Sequence, residues 1–235
     1  MPNEIIPGFF GKLPQVGDFI SRRLPPYFVK PWDTWLQESI FHSKEQLGSK
    51  WRTCYQSAPK WRFVLGPGLC GKYYAAGIVV PSYDKVGRFF PLTVAIVSES
   101  SLSHLIPRAV QWFIQLEIMV DLLMKNKINL KVFDQRLMQQ QLPLALFKNK
   151  DRIADTLLSP ASDPLFFRLE LQTYHQVPEA FEYLTTHLLQ RHLSTFSIWS
   201  TKGRAKSSPT LSIFRGMPPA DRFVQFLADP ETAVT

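Results

Sequence analysis

The stretch Gly66-Pro-Gly-Leu-Cys-Gly-Lys72 contains residue types that could bind a phosphate group. Four residues separate Gly66 from Gly71, and Lys72 follows, as in the first part of a P-loop. The next residue is Tyr73, where a P-loop needs a serine or threonine to hold magnesium. The segment after it favours a strand, whereas phosphate binding needs a helix N-terminus. We therefore favour a glycine-rich connection that leads into a strand, and a nucleotide-responsive switch or enzyme using this loop is the alternative.

The histidines and cysteines are not spaced for metal binding or for nucleophilic catalysis. His187 and His192 are five residues apart on a predicted helix. That spacing places them about 140° apart around the helix axis rather than on one face. Cys54 and Cys70 form no Cys-x-x-Cys motif, and a free cysteine is usually a small buried residue. The sequence therefore predicts neither a metal ion nor a cofactor and contains no catalytic motif, although it leaves a cysteine–histidine pair open.

A third group of residues places charges among aromatic and turn residues. Its members are Lys12, Asp18, Arg22, Asp33, Arg62, Asp84 and Arg88. Such charges can brace a fold by pairing, as Asp84 could with Arg88 across a hairpin, or they can form a recognition surface for a partner protein. The candidate partner-binding residues are Lys12, Asp18, Arg22, Ser82, Asp84 and Arg88. The residues expected to serve the structure are Trp32, Asp33, Trp35, Trp61, Arg62 and Gly87.

The composition is that of a globular protein and gives no separate region for binding nucleic acid. Of the 235 residues, 45% are hydrophobic and 20% are charged, which is ordinary for folded domains. The net charge of +8 is spread along the chain, because residues 1–100 hold 12 basic and 7 acidic residues and so contribute +5, which leaves +3 for the remainder. Nucleic-acid binding needs a concentrated basic patch, so we do not expect it.

The chain shows no pattern of secretion or of membrane insertion. Its start lacks a basic segment followed by a long apolar run, which predicts a protein of the cytoplasm with reduced cysteines. The most apolar segment, Val110–Met124, contains Glu117 and Asp121 and is shorter than the roughly 20 residues that span a bilayer. We therefore expect no stable insertion, although the basic loop at residues 202–206 leaves a membrane surface open as a binding target.

Hydrophobic periodicity and proline or glycine breaks define the elements that would position these residues. The predicted strands cover residues 9–13, 18–22, 61–65, 73–81, 88–98, 165–172, 196–201 and 210–214. The predicted helices cover residues 31–47, 51–57, 102–125, 131–147, 178–193 and 220–227. Neighbouring strands joined by hairpins favour an antiparallel sheet flanked by helices, which is an α+β fold. We expect residues 1–150 to form a longin- or profilin-like region and residues 151–235 to form a β-α-β-β-α extension packed on the same sheet.

The charged and aromatic residues belong to short strings that follow one another along the chain. The strings are Gly8-Phe-Phe-Gly-Lys-Leu-Pro14, Gly17-Asp-Phe-Ile-Ser-Arg22, Trp32-Asp-Thr-Trp-Leu36, Trp61-Arg-Phe63, Pro67-Gly-Leu-Cys-Gly71, Pro81-Ser-Tyr-Asp-Lys-Val-Gly-Arg-Phe-Phe-Pro-Leu92, Ser197-Ile-Trp199 and Gly216-Met-Pro218. In this combination and order the chain resembles the TagF family, the accessory proteins of the bacterial type VI secretion system. The resemblance is dense over residues 1–100 and rests on element type alone over residues 101–195.

The resemblance implies a protein that regulates secretion rather than one that catalyses a reaction. Members of the family repress type VI secretion after translation, and some do so by binding the forkhead-associated scaffold protein of the system. The expected partner is therefore a forkhead-associated domain protein among the type VI secretion components. The expected mechanism is sequestration, in which the partner binds a surface made by residues 12–22 and the hairpin at residues 82–88.

Overall fold

The computed structural model describes residues 5–99, 109–140, 142, 185, 188, 193, 195–203 and 208–227. Residues 1–142 and 195–235 form one compact unit, and residues 143–194 form a second. All strands and helices with defined bounds belong to the first unit. The strand predicted at residues 165–172, most of the helix predicted at residues 178–193 and the domain boundary predicted near residue 150 lie outside the described residues, as do His104, His175, His187 and His192.

Within the described residues, seven strands form one antiparallel sheet, which confirms the predicted α+β fold. They are β1 (Gly8–Gly11), β2 (Ile20–Arg22), β3 (Trp61–Leu65), β4 (Tyr74–Val80), β5 (Leu92–Ser98), β6 (Phe196–Thr201) and β7 (Thr210–Arg215). Their order across the sheet is β2-β1-β5-β4-β3-β6-β7. The last two strands of the chain therefore extend the sheet beyond β3, on the side away from β1.

The helices within the described residues are α1 (Pro26–Leu47), α2 (Trp51–Gln56), α3 (Val110–Met124), α4 (Leu130–Met138) and α5 (Val224–Leu227). Helix α1 begins at Pro26, so the prediction that it begins at Pro31 was wrong. Pro26 lies in the first turn, where its missing N–H has no partner to lose. Pro31 lies inside the helix, where it leaves the carbonyl of the residue four positions earlier without its helical donor.

Helices α1 and α3 cover opposite faces of the sheet. The ring of Phe63 on β3 lies 4.6 Å from the ring of Trp32 on α1. The neighbouring side chain, Arg62, contacts Glu117 on α3 through a 2.6 Å hydrogen bond. Successive side chains of a strand point to opposite faces, so the two helices enclose the sheet between them. Every residue of β3 and of β4 is accordingly buried.

The hairpin between β4 and β5 is longer than the sequence pattern predicts. The strand expected to begin at Arg88 begins at Leu92, and the preceding residues carry only one isolated bridge, between Tyr83 and Phe89. Pro91 has no N–H to donate to the ladder, which keeps the pairing from continuing across it. Backbone hydrogen bonds, from the Asp84 N–H to the Arg88 carbonyl at 3.0 Å and from the Phe90 N–H to the Ser82 carbonyl at 3.1 Å, shape these residues together with side-chain hydrogen bonds.

Candidate partner-binding face

A buried carboxylate, Asp84, organises the β4–β5 hairpin. Its Oδ1 accepts hydrogen bonds from the backbone N–H groups of Val86, at 3.1 Å, and Arg88, at 2.9 Å. Its Oδ2 accepts from Arg88 Nε at 2.7 Å and lies 3.0 Å from Lys12 Nζ. The side chain of Asp84 is fully buried. We call Lys12, Asp84 and Arg88 the Asp84 junction.

The Asp84 junction fastens the hairpin to the segment between β1 and β2. The backbone N–H of Lys85 donates to the carbonyl of Val16 at 2.9 Å. Arg88 Nη2 donates to the carbonyl of Gly17 at 2.7 Å. Ser82 Oγ donates to the carbonyl of Lys12 at 2.7 Å. The structure therefore brings together the two segments that the sequence proposed as one surface, although Lys12, Ser82 and Asp84 are buried within it.

The charge of Asp84 is stabilised where it lies. Burial by itself would raise the pKa of this carboxyl group, but hydrogen bonds from the Arg88 backbone, Lys12 and the Arg88 side chain hold the pKa well below its usual range. An ionised carboxylate with two basic partners and two backbone donors has its acceptor sites occupied. The hairpin conformation therefore depends on the ionised form of Asp84.

Replacing Asp84 with asparagine is expected to lower the melting temperature at neutral pH by several degrees. Because the folded-state pKa of Asp84 is lowered, its charge stabilises the fold above the unfolded-state value of about 3.9. That stabilisation is lost as the pH falls from there through the folded-state pKa. Asp84→Asn should therefore show a shallower loss of stability on acidification, measured by urea unfolding at a series of pH values. If the free energy of unfolding fell equally with pH in Asp84→Asn and in the unmodified protein, this role of Asp84 would be contradicted.

The two remaining charged candidates of the first segment differ in exposure and in partners. Asp18 is exposed, and its Oδ1 accepts a 2.8 Å hydrogen bond from the N–H of Phe19. Arg22 on β2 pairs with Asp134 on α4, and Arg23 lies 2.6 Å from the other oxygen of the same carboxylate. Arg22 thus ties α4 to the edge of the sheet, with nearly half of its side chain exposed.

Exposed apolar side chains stand beside the charged ones on this face, and residue type alone did not single them out. Val86, at the hairpin tip, is 70% exposed, and Phe19 is 43% exposed. Tyr83 and Lys85 are also exposed, and more than half of the Arg88 side chain is accessible. Phe19 joins this group through Lys12, whose Nζ lies 5.0 Å from its ring centroid. We call Phe19, Tyr83, Lys85, Val86 and Arg88 the hairpin patch.

Most of the residues expected to serve the structure lie in the core or in a turn. Trp35 donates through Nε1 to the carbonyl of Pro218 at 2.8 Å, and Trp61 donates to the carbonyl of Phe226 at 3.1 Å. Both bonds hold the segment at residues 218–226 against the rest of the fold. Gly87 has a φ of 86°, a conformation that favours glycine at this position of the hairpin.

Asp33 is the exception, because it lies at the margin of the core. Its Oδ2 accepts a hydrogen bond from Gln37 at 2.7 Å, whereas its buried Oδ1 has no partner. Burial raises the pKa of this carboxyl group, and the Gln37 bond opposes the rise only in part.

The glycine-rich loop has the geometry of a connection between strands. It leads into β4, whose first residue is Tyr74, rather than into a helix. Gly68 and Gly71 both have positive φ, and a Cβ at Gly71 would lie 2.6 Å from the ring of Tyr27. Cys70 is buried in this loop, and burial raises the pKa of its thiol to about 12. A thiol with that pKa stays protonated at neutral pH and is a poor nucleophile.

Two further properties hold for the described part of the chain. Within it, no group of three or more histidine, cysteine, aspartate or glutamate residues is arranged to hold a metal ion. None of the helices in that part has both the length and the apolar character needed to cross a bilayer.

The chain is similar to known proteins over nearly its whole length. The sequence model of the TagF N-terminal domain, described as type VI secretion system-associated, matches residues 8–140. The crystal structure of PA0076 from Pseudomonas aeruginosa PAO1 has a TM-score of 0.75 and 34% sequence identity to this chain, and the match covers 94% of this chain and 93% of that one. No curated protein matches the sequence. Because the family match spans more than half of the chain and includes the whole Asp84 junction, this protein belongs to the TagF family and is associated with type VI secretion.

Proposed function

We propose that this protein is a non-enzymatic negative regulator of type VI secretion that acts in the cytoplasm after translation. It binds and sequesters the forkhead-associated scaffold protein of the secretion system, and the hairpin patch is the contact surface. Its membership of the TagF family supports the link to secretion. The hairpin patch supports binding as the mode of action, because it combines exposed apolar side chains with exposed basic ones.

The observation that carries this proposal is an exposed valine held on a fixed turn. Val86 is 70% exposed, yet its N–H is bound to the fully buried carboxylate of Asp84. An apolar side chain at a rigid position loses little conformational freedom on binding, and such preorganisation raises affinity. Asp84, Ser82 and Lys12 therefore contribute to binding by shaping the hairpin, since their own side chains are buried.

The low reactivity of the buried Cys70 thiol supports a binding role over a catalytic one. Cys70 has a raised thiol pKa, and the loop around it leads into a strand. Melting curves with ATP or GTP test the remaining catalytic alternative, because a ligand at 100 times its Kd stabilises a protein by about 2.7 kcal/mol. We expect no shift in melting temperature, and a clear rise with either nucleotide would contradict the non-enzymatic function.

The contact surface is tested by placing a charge on the hairpin tip. Val86→Asp puts a carboxylate at the most exposed apolar position of the patch, where a bound partner would have to desolvate it. We expect its affinity for the purified forkhead-associated scaffold, measured by isothermal titration calorimetry, to fall at least about tenfold.

Phe41→Asp is the matched control for this substitution, because Phe41 is 57% exposed on α1 and lies outside the hairpin patch. This variant should bind the scaffold like the unmodified protein. Equal affinities of the Val86→Asp and Phe41→Asp variants for the scaffold would show that the contact surface does not include the hairpin patch. Failure of the unmodified protein to bind would reject the scaffold as partner.

A further inference from the structure

Strand β7 forms the edge of the sheet opposite β2, and within the described residues its outer side has no partner strand. Among the described residues, β7 pairs with β6 and with no other strand. The N–H of Gly216 donates to the carbonyl of Thr195 at 3.0 Å, which sets the phase of the ladder. Hydrogen-bonded and non-hydrogen-bonded pairs alternate in an antiparallel ladder. Ser212 and Phe214 therefore bond to β6, whereas the backbone groups of Leu211, Ile213 and Arg215 point away from the sheet.

The side chains of these outward residues form an apolar row that ends in a positive charge. Leu211 is 63% exposed, Ile213 is 47% exposed, and Arg215 is exposed as well. Alternation along the strand places all three on one face. The edge thus offers free backbone donors and acceptors beside a row of exposed side chains.

The sequence of β7 itself lacks the features that usually keep an edge strand from pairing. Natural edge strands are protected by short length, inward charges, proline or bulges. The opposite edge, β2, has three residues, whereas β7 has six with no proline and no charge before Arg215. A six-residue edge of this kind fits the recognition of an extended peptide by strand addition.

The charge around β7 determines which partner it suits. Residues 183–220 contain no aspartate or glutamate, and the sequence from residue 202 to residue 215 carries four basic residues, Lys202, Arg204, Lys206 and Arg215, of which Lys202 pairs with Glu117. A second copy of this chain would bring like charges together, which disfavours self-pairing. We propose that the β7 edge binds an extended acidic segment of a partner protein. Its backbone pairs with Leu211, Ile213 and Arg215, its apolar residues lie on Leu211 and Ile213, and a carboxylate meets Arg215.

This surface is separate from the hairpin patch, because β7 lies at the far end of the strand order from β1 and β2. Peptide binding at the β7 edge therefore does not depend on partner binding at the hairpin patch. The two surfaces together would let one small protein hold two segments at once.

Amide exchange on the full chain, followed by NMR, tests the proposal with short synthetic peptides. One peptide alternates valine with glutamate, and its matched control alternates valine with lysine. In the free protein, the amides of Leu211 and Ile213 should exchange faster than those of Ser212 and Phe214. The acidic peptide, at about ten times its Kd, should slow exchange at Leu211 and Ile213 about tenfold. The basic peptide should leave their exchange unchanged.

Two variants separate strand addition from unspecific charge attraction. Ile213→Pro removes an outward N–H while leaving the hydrogen bonds to β6, so the variant should fold. The acidic peptide should then no longer slow exchange of the Leu211 amide. Arg215→Glu should weaken binding of the acidic peptide and allow binding of the basic one. Protection of Leu211 and Ile213 in the free protein would overturn the proposal, because the edge would already be covered. Equal effects of both peptides, or no effect of the acidic one, would also overturn it.

Discussion

Replacing Trp32 with alanine is expected to lower the free energy of unfolding by about 3–5 kcal/mol, in the range found for large aromatic side chains removed from a core. Trp32 is fully buried at the junction of α1 with the sheet. Its ring lies 4.6 Å from that of Phe63 on β3 and stacks 6.0 Å from that of Trp199 on β6. Urea unfolding followed by far-UV circular dichroism measures the loss, and a change below about 1 kcal/mol would contradict the assigned packing.

Two phenylalanine variants separate the hydrogen bond of Trp32 from its packing. Trp32 Nε1 donates to Thr93 Oγ1 at 2.8 Å, whereas Trp199 Nε1 is buried without a hydrogen-bond partner. Trp32→Phe leaves a buried hydroxyl without its donor, which costs about 1–3 kcal/mol in addition to the lost volume. Trp199→Phe loses similar volume but removes an unsatisfied donor. We therefore expect Trp199→Phe to be the milder substitution, and the opposite order would contradict this account of the two indole groups.

Replacing Glu117 with leucine is expected to lower the free energy of unfolding by about 3–5 kcal/mol, because it leaves a buried guanidinium without its counter-charge. Glu117 on α3 accepts a 2.6 Å hydrogen bond from Arg62 Nε on β3, and Lys202 Nζ lies 3.3 Å from its other oxygen. The side chains of Arg62 and Glu117 are both almost buried. Arg62 also packs over the ring of Phe113, at 5.5 Å from its centroid.

A double-mutant cycle measures how much of that cost is the unpaired charge. Arg62→Met fills similar space without a charge, and the double variant with Glu117→Leu removes both partners. A buried ion pair is often replaced by apolar residues at little cost. We therefore expect the double variant to recover most of the stability that Glu117→Leu loses. Strict additivity of the two single losses would show that Arg62 and Glu117 are not energetically coupled.

The strands in the middle of the sheet could be predicted from residue type and breakers. The bounds of β3 and β6 agree with the predicted ranges, because each is a short segment rich in aromatic and β-branched residues that ends at a glycine or a polar break. The start of α1 could not be predicted as well, since Pro26 and Pro31 are both compatible with a first turn. The local sequence shows that either proline could occupy the first turn of a helix. Packing of the turn before Pro31 decides which of the two prolines begins α1.

The contacts around the hairpin could be predicted only where both partners are close in sequence. Pairing of Asp84 with Arg88 follows from their four-residue spacing, and the structure contains it. Lys12 joins the same carboxylate from a distant strand segment, which only the sheet order brings near. The exposure of Phe19 and Val86 was missed for a related reason. An apolar residue type indicates the core, and only the packed structure shows which apolar side chains remain outside it.

The central claim is that the hairpin patch mediates repression of type VI secretion. The most direct test compares cells that overproduce the unmodified protein, Val86→Asp or Phe41→Asp at equal levels, and measures release of a type VI secreted protein into the medium. We predict that the unmodified protein and Phe41→Asp suppress release, whereas Val86→Asp, with an unchanged melting temperature, does not. Suppression by Val86→Asp equal to that of the unmodified protein would contradict the claim.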